Sequence, residues 1–162
     1  MRSFILSFLF LAVTVNSFAQ TDYSIKKAYA WYNVSMPGMQ MADEKGNPIP
    51  PKPNITRFIY VEYNGTKMPD IKAVLYNSAA LSFSVVAVTE KTVFAGDKKL
   101  NPNNSITAKK GNKLLKIDLQ PEEGKTMPET DCKNIIIKSK QGSKLCKFYI
   151  TVEKGFASFP SY

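Results

Sequence analysis

The chain has 162 residues, a formal net charge of +9 and no histidine. The absence of histidine removes the commonest general base and the commonest metal ligand, which excludes a Ser–His–Asp hydrolase and a histidine-ligated metal centre. Lysine supplies nearly all of the positive charge, because Arg2 and Arg57 are the two arginines. Dispersed lysines without the bidentate fork of arginine are typical of a solvated surface, so we predict no nucleic-acid binding.

Residues 1–19 have the pattern of a secretory signal peptide. Arg2 is followed by an apolar stretch over residues 4–15, and small residues precede Gln20 in the spacing of a cleavage site. The apolar stretch is shorter than the ~20 residues that span a bilayer. Residues 16–20 also resemble the end of bacterial signal peptides. We therefore predict a secreted or periplasmic protein with one mature domain over residues 20–162 and no transmembrane segment in it.

Two cysteines in an oxidising compartment predict one disulfide, Cys132 to Cys146, with two free thiols as the alternative. A turn at Gln141 and Gly142 would place Cys132 out of register with Cys146 on the paired strands. The bridge therefore requires either a turn centred near Ser139 or a fold-back of the segment that holds Cys132.

The first half of the mature domain is predicted to consist of short strands and one long loop. Aromatic and β-branched residues predict a first strand at residues 29–34, whereas prolines and glycines crowd residues 37–53 and predict a loop without strands. Asn64 and Gly65 predict a hairpin turn. The other strands are predicted at residues 55–63, 71–76, 81–88 and 92–94, and residues 81–88 are predicted to be the most buried.

The second half repeats the alternation of strands and turns. A turn cluster at residues 101–104 precedes a short strand at residues 106–109, and a tight turn at Gly111 and Asn112 leads into a half-buried strand at residues 115–119. After a polar loop at residues 121–128, the last hairpin is predicted from residues 135–137 and 148–152.

Eight or nine short strands with regular turn signals and no amphipathic helix predict an all-β fold. An antiparallel β-sandwich of immunoglobulin-like topology is the first interpretation, and a barrel is the second. The two cysteines lie too close in sequence to bridge two sheets as they do in a true immunoglobulin domain.

Methionines are grouped at the start of the proline-rich loop. Met36, Met39 and Met41 place three thioethers on one segment, which resembles the methionine clusters of bacterial copper-handling proteins. Soft thioether ligands select Cu(I). The alternative interpretation is that these methionines fill gaps under the loop or line an adaptable contact surface.

Aromatic side chains form the second candidate site. Strand alternation places Tyr29 and Trp31 on one face and Tyr32 on the other, so at least one of these faces is predicted to be core. Exposed aromatic rings could stack on sugars or anchor a protein interface. The candidate binding residues are Tyr29, Trp31, Tyr32, Phe156, Phe159 and Tyr162.

These observations favour binding over catalysis. Carboxylate pairs occur only in predicted loops, and no phosphate-binding glycine motif is present, so we predict no enzymatic activity and no cofactor. The expected function is an exported binding or accessory domain of the bacterial cell envelope, with a protein or a polysaccharide as its partner. A periplasmic Cu(I)-binding protein that uses the methionine cluster is the alternative.

Overall fold

The computed structural model describes residues 22–35, 41–49, 53–128 and 134–156. In these ranges the chain is all-β, and no helix that could span a membrane occurs in them. The strands are β1 (Tyr23–Ser35), β2 (Met41–Ala42), β3 (Pro48–Ile49), β4 (Asn54–Gly65), β5 (Asp70–Tyr76), β6 (Ala79–Val88), β7 (Thr92–Phe94), β8 (Ser105–Thr107), β9 (Lys113–Gln120), β10 (Ile135–Gln141), β11 (Lys144–Ile150) and β12 (Glu153–Gly155).

Eight of the strands form one curled sheet in the order β11-β10-β5-β6-β9-β4-β1-β12. Neighbouring strands are antiparallel except β1 and β12, which are parallel. Strand β6 changes partner along its length, because Ala79–Leu81 pairs with β5 and Ser82–Val88 pairs with β9. This change lets β5, β10 and β11 fold over β1, β4 and β9.

The predicted β-sandwich architecture is confirmed. The two layers belong to one continuous, curled sheet, and two small hairpins, β2–β3 and β7–β8, are added to it. The hairpin β2–β3 corrects the prediction that residues 37–53 contain no strand. Its turn is stabilised by Asp43, whose carboxylate Oδ1 accepts hydrogen bonds from the backbone N–H groups of Lys45 and Asn47 at 2.9 and 2.8 Å.

Two hydrophobic clusters cover opposite faces of β4. The main cluster lies between the layers and includes Ile59, Val61 and Tyr63, whereas Phe58 and Tyr60 pack into a second cluster under the β7–β8 hairpin. Every residue from 57 to 63 is buried as a result. The prediction that residues 81–88 form the most buried strand was therefore wrong, because much of β6 is exposed or half-buried and β4 occupies the two-sided core.

The hairpin predicted at Asn64 and Gly65 is also wrong. Strand β4 continues through Gly65, which pairs with Tyr23 of β1, and β5 pairs with β6 and β10. A Cβ on Gly65 would lie 2.3 Å from the carbonyl oxygen of Asp22, so glycine is needed there for close approach of two backbones. The Asn-Gly pair serves this contact and does not reverse the chain.

The last hairpin is confirmed and its turn is fixed at Gly142 and Ser143. Gly142 has a φ of +59°, as the first turn residue of a type II′ hairpin requires, and Cys146 consequently pairs with Ser139. A turn centred near Ser139 is thus excluded as the route to a disulfide. Cys132 lies outside the described residues, and Cys146 forms no disulfide within them.

The β5–β6 turn suggests a stabilising substitution. Asn77 and Ser78 have φ values of +48° and +74°, which is the type I′ pattern that favours glycine at the second position. We expect Ser78→Gly to raise the free energy of unfolding by about 0.5–1 kcal/mol, since relief of left-handed strain exceeds the added entropy of the unfolded chain. Urea unfolding measures the difference.

Ser143→Gly is the matched control for this prediction. Ser143 also lies in a two-residue hairpin turn but does not have a positive φ. Glycine there adds only unfolded-state entropy, so the control should lose stability. Equal stabilisation by both substitutions would contradict the role assigned to the left-handed conformation of Ser78.

Candidate functional site

The two edges of the curled sheet approach each other along one side of the molecule. Within the described ranges, strand β11 pairs with β10 alone, and β12 pairs with β1 only at Ala30–Tyr32. The first seven residues of β1 therefore face β11 with no strand between them among the described residues. At the start of β1, Tyr23 donates its hydroxyl to the carbonyl of Lys140 and accepts at its own carbonyl from Gln141 Nε2 at 3.1 Å.

An open groove of about 330 Å³ lies between the Tyr23 contact at the start of β1 and the paired segment of β1 and β12. We call it the seam groove. Its walls are residues 26–31 of β1, residues 148–150 of β11, the link Thr151–Val152 and Lys154 of β12. The volume lies at the lower end of the roughly 300–1,000 Å³ that ligand pockets occupy. Half-buried Ala28 and Phe148 form part of its apolar surface and also pack against the main core.

Large apolar side chains are exposed beside the seam groove. Leu145 and Tyr149 of β11 are 56% and 57% exposed, and Val152 after it is 63% exposed. These are the three most exposed large hydrophobic residues in the described part of the chain. Exposed apolar residues that cluster on an unpaired edge strand mark an interaction surface or an aggregation hazard.

The seam groove is positively charged. Lys26, Lys27 and Lys154 line it, Lys147 lies on the same strand as the wall residues 148–150, and no acidic residue among those that the structure describes contributes to its walls. None of these four lysines belongs to an ion pair within the described ranges. Lys26 is the extra residue of a β-bulge between Ile25 and Lys27, which places two consecutive exposed lysines on the rim.

A buried ion pair fixes the β12 end of the groove. The guanidinium of Arg57 donates to the carboxylate of Glu153 through Nη1 and to the carbonyl of Pro128 through Nη2, the latter at 2.8 Å. Tyr76 donates its hydroxyl to the same carboxylate at 2.8 Å. The rings of Tyr32 and Tyr76 lie 5.2 and 4.6 Å from the guanidinium carbon. This cluster joins β1, β4, β5 and β12.

A buried carboxylate lies opposite Lys27 in the β1–β4 register. Burial raises the pKa of Glu62, but hydrogen bonds from Asn112 Nδ2 and the Lys109 N–H, with the charges of Lys27 and Lys109, outweigh it and lower the pKa below its usual value. Both hydrogen bonds reach Oε1, at 2.6 and 2.9 Å. Burial, followed by the charge of Glu62, raises the pKa of Tyr29. Glu62 therefore holds the connection between β8 and β9 in place through these two hydrogen bonds.

The predicted aromatic binding residues that the structure describes are buried or half-buried by packing. Tyr29 and Trp31 lie on one face of β1 and Tyr32 on the other, as alternation predicts, and both faces are core. Trp31 is only 4% exposed, with Lys154 Nζ 5.7 Å from its ring centroid. Phe156 packs 5.4 Å from the ring of Phe58. Phe159 and Tyr162 lie outside the described residues.

The methionine cluster falls largely outside the structure. Met36 and Met39 are not among the described residues, and Met41 is placed by its backbone in the β2–β3 hairpin opposite Ile49. No group of three or more carboxylate or cysteine ligands that could hold a metal ion occurs in the described ranges. The copper hypothesis stays a prediction.

Sequence reasoning missed the β11 side of the site. Tyr29 and Trp31 were predicted as binding residues and do line the seam groove, but Phe148, Tyr149 and Lys154 were not. A usable signal was present, because Phe148 and Ile150 alternate with Leu145, Lys147 and Tyr149 so that two large apolar residues fall on the solvent face. This alternation does not indicate that the strand lies at an edge of the sheet.

Loss of the buried charge at Glu153 should destabilise the protein strongly. We expect Glu153→Gln to lower the free energy of unfolding by about 3–5 kcal/mol, because it leaves the Arg57 guanidinium buried without a counter-charge. An Arg57→Met, Glu153→Leu double variant removes both charges and should recover part of the loss. Urea unfolding of the three proteins tests this, and a loss below about 1 kcal/mol in the single variant would contradict it.

Glu62 should make stability depend on acidity. Since its folded-state pKa is lowered, its charge stabilises the fold above the unfolded-state pKa of about 4.3, and this contribution is lost as the pH falls through the folded value. Glu62→Gln removes the charge and keeps an oxygen that can accept both hydrogen bonds. We expect a shallower loss of stability on acidification than in the wild type, measured by urea unfolding at neutral and acid pH; parallel curves would contradict the assignment.

Comparison with known proteins assigns no family to the chain. No protein-family model, no curated protein and no solved structure matches it.

Proposed function

We propose that this protein is an exported, non-enzymatic binding domain of the bacterial cell envelope, and that it binds a protein partner at the seam groove. One observation carries the proposal. Of the three most exposed large apolar side chains of the described chain, Tyr149 and Val152 line an open groove, and Leu145 lies on the same edge strand as Tyr149, β11, which has one free edge. Such a surface leaves water-exposed hydrophobic area that a partner would cover.

The charge distribution supports binding over catalysis. The two buried carboxylates nearest to the groove are engaged in structural interactions, Glu153 with Arg57 and Tyr76, and Glu62 with Lys109 and Asn112. A general acid or base must be within hydrogen-bond reach of a substrate that occupies the site. The groove walls, as far as the structure describes them, offer lysines and tyrosines but no carboxylate for this role.

The aromatic geometry favours a protein over a polysaccharide partner. Stacking on a sugar needs an accessible ring face, whereas Trp31 is almost fully buried in the second cluster and Lys154 lies over its ring. Tyr149 is the aromatic residue of the groove with a largely exposed side chain. One exposed ring with the exposed Val152 beside it in the groove lining matches the apolar centre of a protein interface.

Export is supported by the sequence of residues 1–19, which lie outside the described residues. The positive start, the apolar stretch and the small residues before Gln20 are the features that signal peptidases recognise. Cleavage before Gln20 would leave all of the described residues, which begin at Asp22, in the mature chain.

Site-specific photocrosslinking in the producing bacterium tests this function. A photoreactive phenylalanine analogue at position 149 should yield a protease-sensitive adduct with one envelope protein after irradiation. The recovered chain should begin at Gln20 and be found outside the cytoplasm. Both results are expected because Tyr149 lies on the exposed rim of the groove.

Position 86 provides the matched control. Val86 is 53% exposed on β6, which is separated from β1 by β9 and β4. The same analogue there should give no such adduct. Equal adducts from both positions, adducts to polysaccharide alone or a chain that keeps residue 1 in the cytoplasm would each contradict the proposal.

A further inference from the structure

The free edge of β11 has an ordered row of backbone groups. In a hairpin closed by a two-residue turn, the pair next to the turn exchanges both hydrogen bonds, and hydrogen-bonded pairs then alternate with non-bonded ones. Counting from the pair Gln141 and Lys144, Cys146, Phe148 and Ile150 direct their N–H and C=O groups toward β10. Leu145, Lys147 and Tyr149 therefore direct theirs toward the free edge.

This row has the repeat of an extended peptide. Alternate residues of a strand are separated by about 6.8 Å, so three outward-facing N–H groups and three C=O groups match a partner strand of about five to seven residues. No second strand pairs with β11 in the described part of the chain. A polysaccharide does not present amide groups at this repeat.

The lysines around the free edge of β11 favour a peptide of negative charge. Lys26, Lys27, Lys147 and Lys154 surround it without an ion-paired carboxylate among the described residues. An antiparallel pair of two β11 strands would bring Lys144 and Lys147 of one copy near those of the other, and like charges on facing strands are destabilising. Charge complementarity thus disfavours a second copy and favours an acidic partner.

We infer that β11 binds an extended, acidic peptide segment of its partner by β-strand addition. The guest backbone pairs with Leu145, Lys147 and Tyr149, its alternate side chains contact the apolar floor of the seam groove at Ala28 and Phe148, and its carboxylates lie near the lysine rim. Backbone pairing supplies the affinity and the rim supplies the selectivity. The inference rests on the proposed binding function and names the chemistry of the partner.

A random library of ten-residue peptides displayed on phage and selected against the mature domain tests the inference. Enriched peptides should carry an excess of Asp and Glu over the unselected library. Synthesised without the phage, they should lose at least tenfold in affinity when alternate backbone nitrogens are methylated, because N-methylation removes the donors of strand pairing. Fluorescence anisotropy measures both affinities.

Two variants at one position separate backbone from side-chain effects. Tyr149→Pro removes an outward N–H without removing a hydrogen bond to β10, so the hairpin should fold, which thermal unfolding checks. It should weaken peptide binding at least tenfold, whereas Tyr149→Phe, which keeps both the N–H and the ring, should stay within about threefold. Lys147→Glu should weaken binding of the acidic peptides and leave the fold intact.

The outcomes distinguish this inference from the function that it rests on. No enrichment of acidic peptides, or binding unchanged by N-methylation and by Tyr149→Pro, overturns strand addition. If photocrosslinking at position 149 still captures an envelope protein, the binding function stands and only the mode is wrong. An acidic polysaccharide such as polygalacturonate that binds the groove while no peptide does overturns both.

Discussion

Two-sided burial of β4 is the constraint on which the structure depends. Ile59, Val61 and Tyr63 need the main core between the layers, and Phe58 and Tyr60 need the second cluster under the β7–β8 hairpin. β4 also pairs along both of its edges, with β1 and β9, and so lies inside the sheet. The positions of the other strands follow from this, because the sheet must curl to bring β5 and β10 over the face that Ile59 and Val61 share.

The seam groove forms because the sheet curls until its two edges approach each other, but strands β1 and β11 do not pair with each other in the described part of the chain. The sheet is closed at one end by the contact of Tyr23 with the β10–β11 turn and at the other by β12, which Glu153 fixes through its buried contact with Arg57. The groove is the space between β1 and β11 from one of these points to the other. A buried ion pair is weak evidence for stability but strong evidence for position, since a displaced Glu153 would leave Arg57 without its counter-charge.

Prediction from the sequence succeeded where it depended on alternation along one strand. Tyr29 and Trp31 share a face opposite Tyr32, as the period of two requires. Prediction failed where the composition of a segment is compatible with more than one structure. The Asn64–Gly65 pair has the composition of a turn, but Gly65 is required for its contact with β1, and the hairpin turn forms at Asn77 and Ser78 instead.

By itself, the sequence determined the all-β character, the inward and outward faces of the strands and the lysine-rich, histidine-free surface, because residue type and alternation are local properties. Only the tertiary structure decided which strands are neighbours, that Trp31 is enclosed and that β11 is an edge. Strand pairing is set by contacts between residues far apart in the chain, so an exposed Tyr149 becomes part of a groove only when the curled sheet brings β1 beside it.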